Sequence, residues 1–380
     1  SILNKSHGVS MSYWFWNIGA VFCLCVFSAG ILIPQILLIA FRKKLFDVPD
    51  ARKIHKGAVP RLGGIAFMPV IFFSYALAIV SNLLLGYEAL PQAALNEDLM
   101  LLSVLCALQL LYLVGMADDL IGIKYRAKFV VQIICAALLI AGGDYFGNLD
   151  GILGIYEWPL WIAWPFTAVV IVFLINAINL IDGIDGLASG LSSIACIIYG
   201  VAFYSTGDYA FAMLAFATLG VLVPFFYYNV FGNAEKHSKI FMGDTGSLTV
   251  GLLLSVLGIK LFSLDPTDTV DIGSPAVLAF SPLIIPCFDV VRVYFHRIRN
   301  KKNPFNPDKN HIHHKLLAMG LNQRVAMITI ICVSLLLTLM NVAFYSLLHF
   351  NLNVIIIVDV FLWTMANILI SQTIRKRNAK

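Results

Sequence analysis

Eleven apolar runs, most of them about 20 residues long, limit what this chain can fold into more than any other feature. They fall at 13–41, 63–85, 99–117, 129–142, 159–178, 188–204, 209–230, 246–264, 275–294, 325–346 and 351–371. A helical run of that length crosses the ~30 Å hydrocarbon layer of a bilayer and satisfies its own backbone hydrogen bonds there. A membrane β-barrel would instead alternate apolar and polar residues in segments of about ten. With 60% of its 380 residues hydrophobic and 12% charged, the chain carries more apolar surface than a soluble domain can hide. The expected fold is all-α, a polytopic integral membrane protein of about eleven helices. Span 13–41 exceeds what a bilayer requires and is expected to tilt or project, and 129–142 is the shortest run.

The basic residues orient these spans. Loops 42–62, 118–128, 231–245 and 292–324, with the tail, hold 24 of the 26 lysines and arginines, leaving only Lys5 and Lys260 elsewhere. The alternate loops are acidic or neutral. Basic residues stay on the cytoplasmic side, so the amino terminus is expected outside and the carboxyl terminus inside. The segment 1–12 is polar and 372–380 is a basic cytoplasmic tail, with a single membrane domain, 13–371, expected between them. Ser1–Ser10 precedes Met11, where the natural start is expected. No basic n-region or small-residue cleavage site precedes the first span, which is expected to be retained. Seven cysteines all lie inside apolar runs and read as small hydrophobes. The net charge of +5 suits anionic lipid and phosphate ligands, and nothing argues for nucleic acid.

On that topology every polar block falls on the cytoplasmic face. Asp118 and Asp119 close the third span. Asn176, Asn179, Asp182 and Asp185 follow one another at three-residue intervals where the fifth span gives way to the sixth, with Gly183 and Gly186 among them. Asp244 lies between Gly243 and Gly246 before the eighth span, and His311, His313 and His314 lie after the ninth. An aspartate at a bilayer centre costs roughly 2.5–3.5 kcal/mol, so acids at apolar edges face water, a partner or a metal. Residues three apart are helix neighbours, and the two glycines allow the backbone to tighten and gather the four groups. Any one of these residues would serve as a helix cap. Five carboxylates and three imidazoles together, beside many basic residues, point to a phosphorylated ligand and a divalent cation. Hard oxygen ligands suit Mg²⁺, with Mn²⁺ as the alternative. The histidine triplet resembles a zinc ligand set, but no cysteine or fourth ligand stands near it, so sugar or phosphate contact is expected. Asp289 and Arg292, three residues apart, read as a structural ion pair.

In order along nearly the whole chain, these blocks resemble the polyprenyl-phosphate N-acetylhexosamine-1-phosphate transferases. The resemblance rests on His55 and Lys56 through Pro60, Arg61, Gly63 and Gly64, and on Asp118 and Asp119 with Lys128 following. It continues through the Asn176–Asp185 series, through Phe241, Gly243, Asp244, Gly246 and Ser247, and through Pro304, Pro307, Asp308 and the histidines. It implies that a lipid phosphate oxygen attacks the β-phosphorus of a UDP-sugar at the cytoplasmic face of the bacterial inner membrane, releasing UMP. By matching positions, Asn179 and Asp244 would contact Mg²⁺, and Asp118 or Asp119 would deprotonate the lipid phosphate. Asp182 would belong to the same catalytic group and Lys128 would touch the diphosphate. Asp185, Phe241 and Lys56 would lie against the nucleotide, and Asn176, His311, His313 and His314 would meet the sugar and phosphates. The histidine spacing is similar to the undecaprenyl-phosphate GlcNAc-1-phosphate branch, although Lys315 stands where that branch commonly has arginine. The expected partners are a UDP-N-acetylhexosamine, most simply UDP-GlcNAc, undecaprenyl phosphate and the bilayer, with a homodimer left open.

Three other readings compete. The peptidoglycan phospho-MurNAc-pentapeptide translocase would carry three adjacent histidines. An ion-coupled transporter predicts ionisable groups at mid-span and inverted repeats, whereas these acids crowd one face and no repeat is visible. A CDP-linked phospholipid-type transferase would need an arginine after Asp185, Gly186 and Ala188, where this chain has Ser189.

Overall fold

The computed structural model describes residues 10–45, 58–265, 273–301 and 310–378. Its helices in chain order are α1 (Met11–Lys43), α2 (Phe67–Leu84), α3 (Ala89–Asn96), α4 (Asp98–Ile121), α5 (Tyr125–Ala141), α6 (Leu160–Ile181) and α7 (Leu187–Thr206). They continue as α8 (Tyr209–Val230), α9 (Gly243–Phe262), α10 (Pro275–Phe280), α11 (Ile284–Arg299), α12 (Ile312–Ala318), α13 (Gln323–Ser346) and α14 (Leu352–Asn378). Among the described residues, ten helical segments are long and apolar enough to cross a membrane. Each overlaps an expected span, with bounds that differ by at most seven residues, the largest difference at the end of the last helix.

The eleventh expected span, 129–142, is α5. Its 17 residues fall just short of spanning length, reaching about 26 Å at 1.5 Å per residue. It nevertheless runs from one end of the bundle to the other. Lys128 in its first turn lies 2.8 Å from Asp118 at the end of α4, whereas Phe146 beyond its last turn packs on Phe262 at the end of α9. A two-stranded antiparallel hairpin, β1 (Asn148–Ile152) and β2 (Ile155–Glu157), then leads into α6. The sequence pattern did not show it, because half its residues are polar and the turn rests on Leu153 and Gly154 at positive φ.

The bundle is built around α9. Nearly every residue of this helix is buried, against α4, α6, α7 and α10 among others. Small side chains permit this: in a bilayer, helices associate through close packing rather than through water exclusion. A Cβ on Gly251 would meet the Ile175 backbone of α6 at 2.8 Å. The outer helices behave oppositely, and α14 buries only Leu352, Ile355, Asp359 and Asn367.

The ninth expected span, 275–294, is broken. A 3₁₀ turn over Ser281–Leu283 separates α10 from α11. Pro282 and Pro286 each remove a backbone N–H donor, which interrupts the α-helical ladder there. Beyond the break α11 packs against α6 and α13 and carries Asp289 and Arg292 to the histidine segment.

Candidate active site

The end of α4 is fastened to the start of α9. Asp119 accepts from the backbone N–H of Asp244 at 2.7 Å and of Thr245 at 2.8 Å, and from the Thr245 hydroxyl at 2.6 Å. The first N–H groups of a helix have no partner within it, and a carboxylate there satisfies them and favours the positive end of the helix dipole. Gly243 makes the approach feasible: its φ is +72°, and a Cβ would lie 2.3 Å from the Arg61 carbonyl oxygen and 2.6 Å from Asp119 Oδ2. The segment before α2 lies alongside. Gly63 and Gly64 donate to the carbonyls of Phe241 and Met242, and Phe241 donates to that of Pro60, each at 2.9 Å.

Asp244 therefore enters the pocket from the first turn of α9, and Lys128 meets it. The Lys128 ammonium lies 2.7 Å from Asp244 Oδ2 and 2.8 Å from Asp118 Oδ2, bridging two carboxylates. Asp118 also accepts from the N–H of Ile123. Asn179, from the last turn of α6, donates to Asp244 Oδ1 at 3.0 Å and to the Ser247 hydroxyl at 2.8 Å. Asp182 follows at the turn between α6 and α7 and is half-buried. Burial pushes its carboxyl up to about 7 against the pull of Arg61, and the charges of Asp244, Asp185 and Asp119 add to the rise.

Asp185 pairs with Lys239 at 2.6 Å. Asn229, at the end of α8, accepts from the N–H of Gly186 at 2.6 Å and donates to the Ile240 carbonyl at 2.8 Å. It thereby ties the turn to the segment before α9 that carries the half-buried Phe241. Asn176 sits deeper, donating to Gln132 at 2.7 Å and to the Val172 carbonyl. Its amide links α5 to α6 one turn behind Lys128.

The histidine segment closes the pocket from the side. Asp289 is fully buried and ion-pairs with Arg292 at 2.7 Å, as the spacing implied. It also holds His311 Nδ1 at 2.8 Å and accepts the N–H of Ile312 at the start of α12. His313 is buried with Nδ1 unpartnered among the described residues. Burial first, and then His314 and His311, lower its pKa to about 3, so its imidazole is neutral. It lies over the α6–α7 turn: a Cβ on Gly183 would meet His313 Nε2 at 2.1 Å. Lys315 points away, toward Asn367 and Ser371 of α14, at 3.1 Å from each.

Asp118, Asp119, Lys128, Asn179, Asp182 and Asp244 are thus brought to one end of the bundle, with Asp185 and His313 at their flank. Asn176 is taken up by Gln132, and Lys56 lies outside the described residues. Four contributors were not anticipated. Gln132 is four residues after Lys128 on one helical face, a signal the pattern did contain. Asn229 and Lys239 act through contacts 43 and 54 residues away in sequence, which no local pattern reveals. Asp289 was recognised only as the partner of Arg292.

Among the described residues, no three His, Cys, Asp or Glu side chains gather tightly enough to hold an ion alone. The donor set still fits Mg²⁺, which is commonly held by one or two carboxylates together with substrate phosphates. Asp244 with the Asn179 amide would supply such a partial shell, in hard oxygen donors already compensated by a cation.

Residues 101–262 match the model of glycosyl transferase family 4. A Pasteurella multocida (strain Pm70) undecaprenyl-phosphate alpha-N-acetylglucosaminyl 1-phosphate transferase is 34% identical over 299 residues, covering 77% of this chain and 76% of its own. The Salmonella typhi protein of that name is 31% identical, covering 77% and 74%. A Bacillus subtilis (strain 168) protein named a probable undecaprenyl-phosphate N-acetylglucosaminyl 1-phosphate transferase is 29% identical, covering 93% of this chain and 92% of its own.

Proposed function

This chain belongs to the polyprenyl-phosphate N-acetylhexosamine-1-phosphate transferase family, and from that premise we propose the reaction its pocket performs. It transfers N-acetylhexosamine 1-phosphate, most simply GlcNAc 1-phosphate, from a UDP-sugar to undecaprenyl phosphate. UMP leaves, and the product is a lipid-linked intermediate, the first of a cell-surface polysaccharide. The observation that carries this reading is the Lys128 ammonium held between Asp118 and Asp244, with Asn179 on the same carboxylate. With two carboxylates to one ammonium the cluster is net negative, so it would take a diphosphate together with a divalent cation, and Lys128 and Asn179 would orient the pair.

A lipid phosphate oxygen forms the new bond to the β-phosphorus, and the bond from that phosphorus to the bridging oxygen of UMP breaks. Asp244 and Asn179 would hold Mg²⁺, which when bound neutralises charge on the diphosphate and the departing UMP. Lys128 contacts the diphosphate oxygens. Of the two acids left open by the family pattern, Asp118 is the better proton acceptor: its Oδ2 is held by the Lys128 ammonium, which a diphosphate would draw away, whereas both Asp119 oxygens are fixed on the start of α9. Asp182 lines the same end of the pocket. Asp185 and Phe241 take the uridine side and the histidine segment takes the sugar. One pocket for both substrates favours a single displacement.

We place this end of the bundle at the cytoplasmic face of a bacterial inner membrane, on the distribution of basic residues, and count α5 as an eleventh crossing. Met11 accepts from Tyr204 at the far end of α7, whereas Arg377, next to the end of α14, lies against Gly320 just after α12, so the two helix ends stand at opposite ends of the bundle, as an odd number requires. The test is incubation of the purified chain with Mg²⁺, undecaprenyl phosphate and a panel of UDP-sugars. Formation of UMP and a lipid-diphosphate-sugar supports the assignment. Release of UDP, or no lipid product with any N-acetylhexosamine donor, rejects it.

A further inference from the structure

A second cavity, of about 760 Å³, opens between α11, α12 and α14. None of Asp118, Lys128, Asp182 or Asp244 lines it. Arg292, His296, Arg299, Lys315 and Arg375 do, and no acidic side chain joins them among the described residues. Deeper in, the wall turns apolar, with Phe288 and Val291 on α11 facing Val360 and Trp363 on α14. On α14 the lining residues Trp363, Asn367, Ser371 and Arg375 recur every fourth position. They form one stripe about 18 Å long, apolar at one end and cationic at the other.

Two polar atoms in this cleft are buried and lack hydrogen-bond partners among the described residues: Nε of Arg292 and Nε1 of Trp363. Buried donors of this kind ordinarily find an acceptor. Lys315 is turned into the cleft by Asn367 and Ser371, and burial and the neighbouring Arg292 draw its pKa down to about 8. A nearby anion would hold it charged.

We propose that this cleft seats one anionic phospholipid of the bilayer. Its phosphate would lie among Arg292, Arg299, Lys315 and Arg375, and its acyl chains would run along the apolar faces of α11 and α14. The ester region, with its carbonyl acceptors, would come level with Trp363, one turn or about 6 Å deeper than Asn367. Charge complementarity selects an anionic headgroup, and the apolar floor has no use for a soluble phosphate. The site also reaches the pocket through one side chain. Arg292 faces the cleft while its Nη2 binds Asp289, the carboxylate that holds His311. The lipid thus steadies the histidine segment without touching substrate.

The full chain in nanodiscs of phosphatidylcholine containing phosphatidylglycerol tests this by native mass spectrometry after mild delipidation. One phosphatidylglycerol is retained per chain in preference to phosphatidylcholine. Arg299→Gln with Arg375→Gln weakens retention about thirtyfold, as expected from two juxtamembrane charges, with an unchanged melting profile. Trp363→Phe, which keeps the ring but removes the donor, weakens it about fivefold. Equal retention of phosphatidylcholine, or undiminished phosphatidylglycerol on either folded variant, overturns the proposal. Displacement by equimolar undecaprenyl phosphate assigns the cleft to the substrate instead, and displacement by inorganic phosphate makes it a free-anion site; both also overturn it.

Discussion

Asp119 and Asp289 do the same thing in two different settings. Each is a carboxylate that receives backbone N–H at the start of a helix it does not belong to, two groups for Asp119 and one for Asp289, and each thereby aims a neighbouring polar side chain. Asp119 fastens α9, 20 residues long and buried nearly throughout, and so places Asp244. Asp289 fastens α12, only 7 residues, of which Ile312, His313 and Leu316 are buried, and so places His311. The first junction is braced by α4, α5, α6 and the Gly63–Gly64 segment. The second leans on α13 and α14, whose outer faces are exposed. A well-braced half that holds charge and a lighter half proposed to meet the sugar would suit fixed phosphate chemistry and an adjustable contact to the donor sugar.

The largest expected effect falls on the well-braced half. Asp244→Ala removes the carboxylate shared by Lys128 and Asn179 and lowers turnover by about a thousandfold or more, read as UMP release. Unchanged release from the purified variant would refute its assignment. Asp119→Ala strips three hydrogen bonds from the start of α9. It should lower stability by about 2–4 kcal/mol in denaturant titrations and turnover by about a hundredfold, because each buried N–H left unpaired costs about 1–3 kcal/mol. A variant with native stability would deny the fastening role.

On the lighter half the effects shrink. Asp289→Asn should lower stability by about 1–3 kcal/mol and raise KM for the UDP-sugar about tenfold with a smaller change in kcat, since the ion pair to Arg292 and the grip on His311 both weaken. If kcat fell as far as in Asp119→Ala, the two halves would not differ as described. Gly183→Ala tests the seam between them. Its Cβ must push the His313 ring aside, and a rise of about fivefold in KM with little change in melting temperature is expected, because a displaced imidazole alters contact rather than the core.

The smallest effect is a pH dependence centred on Asp182, whose carboxyl is raised to about 7. Its charged fraction grows with pH, so apparent Mg²⁺ affinity should rise, by less than about tenfold, between pH 6 and 8. Stability has the opposite sign. The folded chain binds this proton more tightly than the unfolded chain, so its contribution is complete below the unfolded pKa and is lost as pH rises through 7. Melting curves without Mg²⁺ should show that decline, and Asp182→Asn should flatten it.

Much of this is legible in the sequence. All eleven apolar runs became helical, the ninth in two pieces, because a long apolar segment has few alternatives in lipid. The blocks around Asp118, Asn179, Asp182 and Asp244 stood out because polar groups interrupt such runs only for a reason. The hairpin at 148–157 and the break at Ser281 did not stand out. The first depends on turn geometry in a polar stretch, and the second on prolines that a hydropathy window averages away. Asn176 shared the spacing of its neighbours, yet it faces Gln132, because three-residue intervals place successive side chains around a helix rather than in one direction.

The sequence by itself determined the membrane class, the order of the spans and the acids and amides available at their ends, since these follow from hydrophobic length and the energetic penalty on charge in lipid. Only the tertiary structure decided how those groups divide their work. It spent Asp119 on a helix start, set Lys128 between Asp118 and Asp244, gave His311 to Asp289 and turned Lys315 toward α14. Which oxygen meets which nitrogen depends on helices separated by a hundred or more residues coming into register, as Asp119 and Asp244 do at a separation of 125.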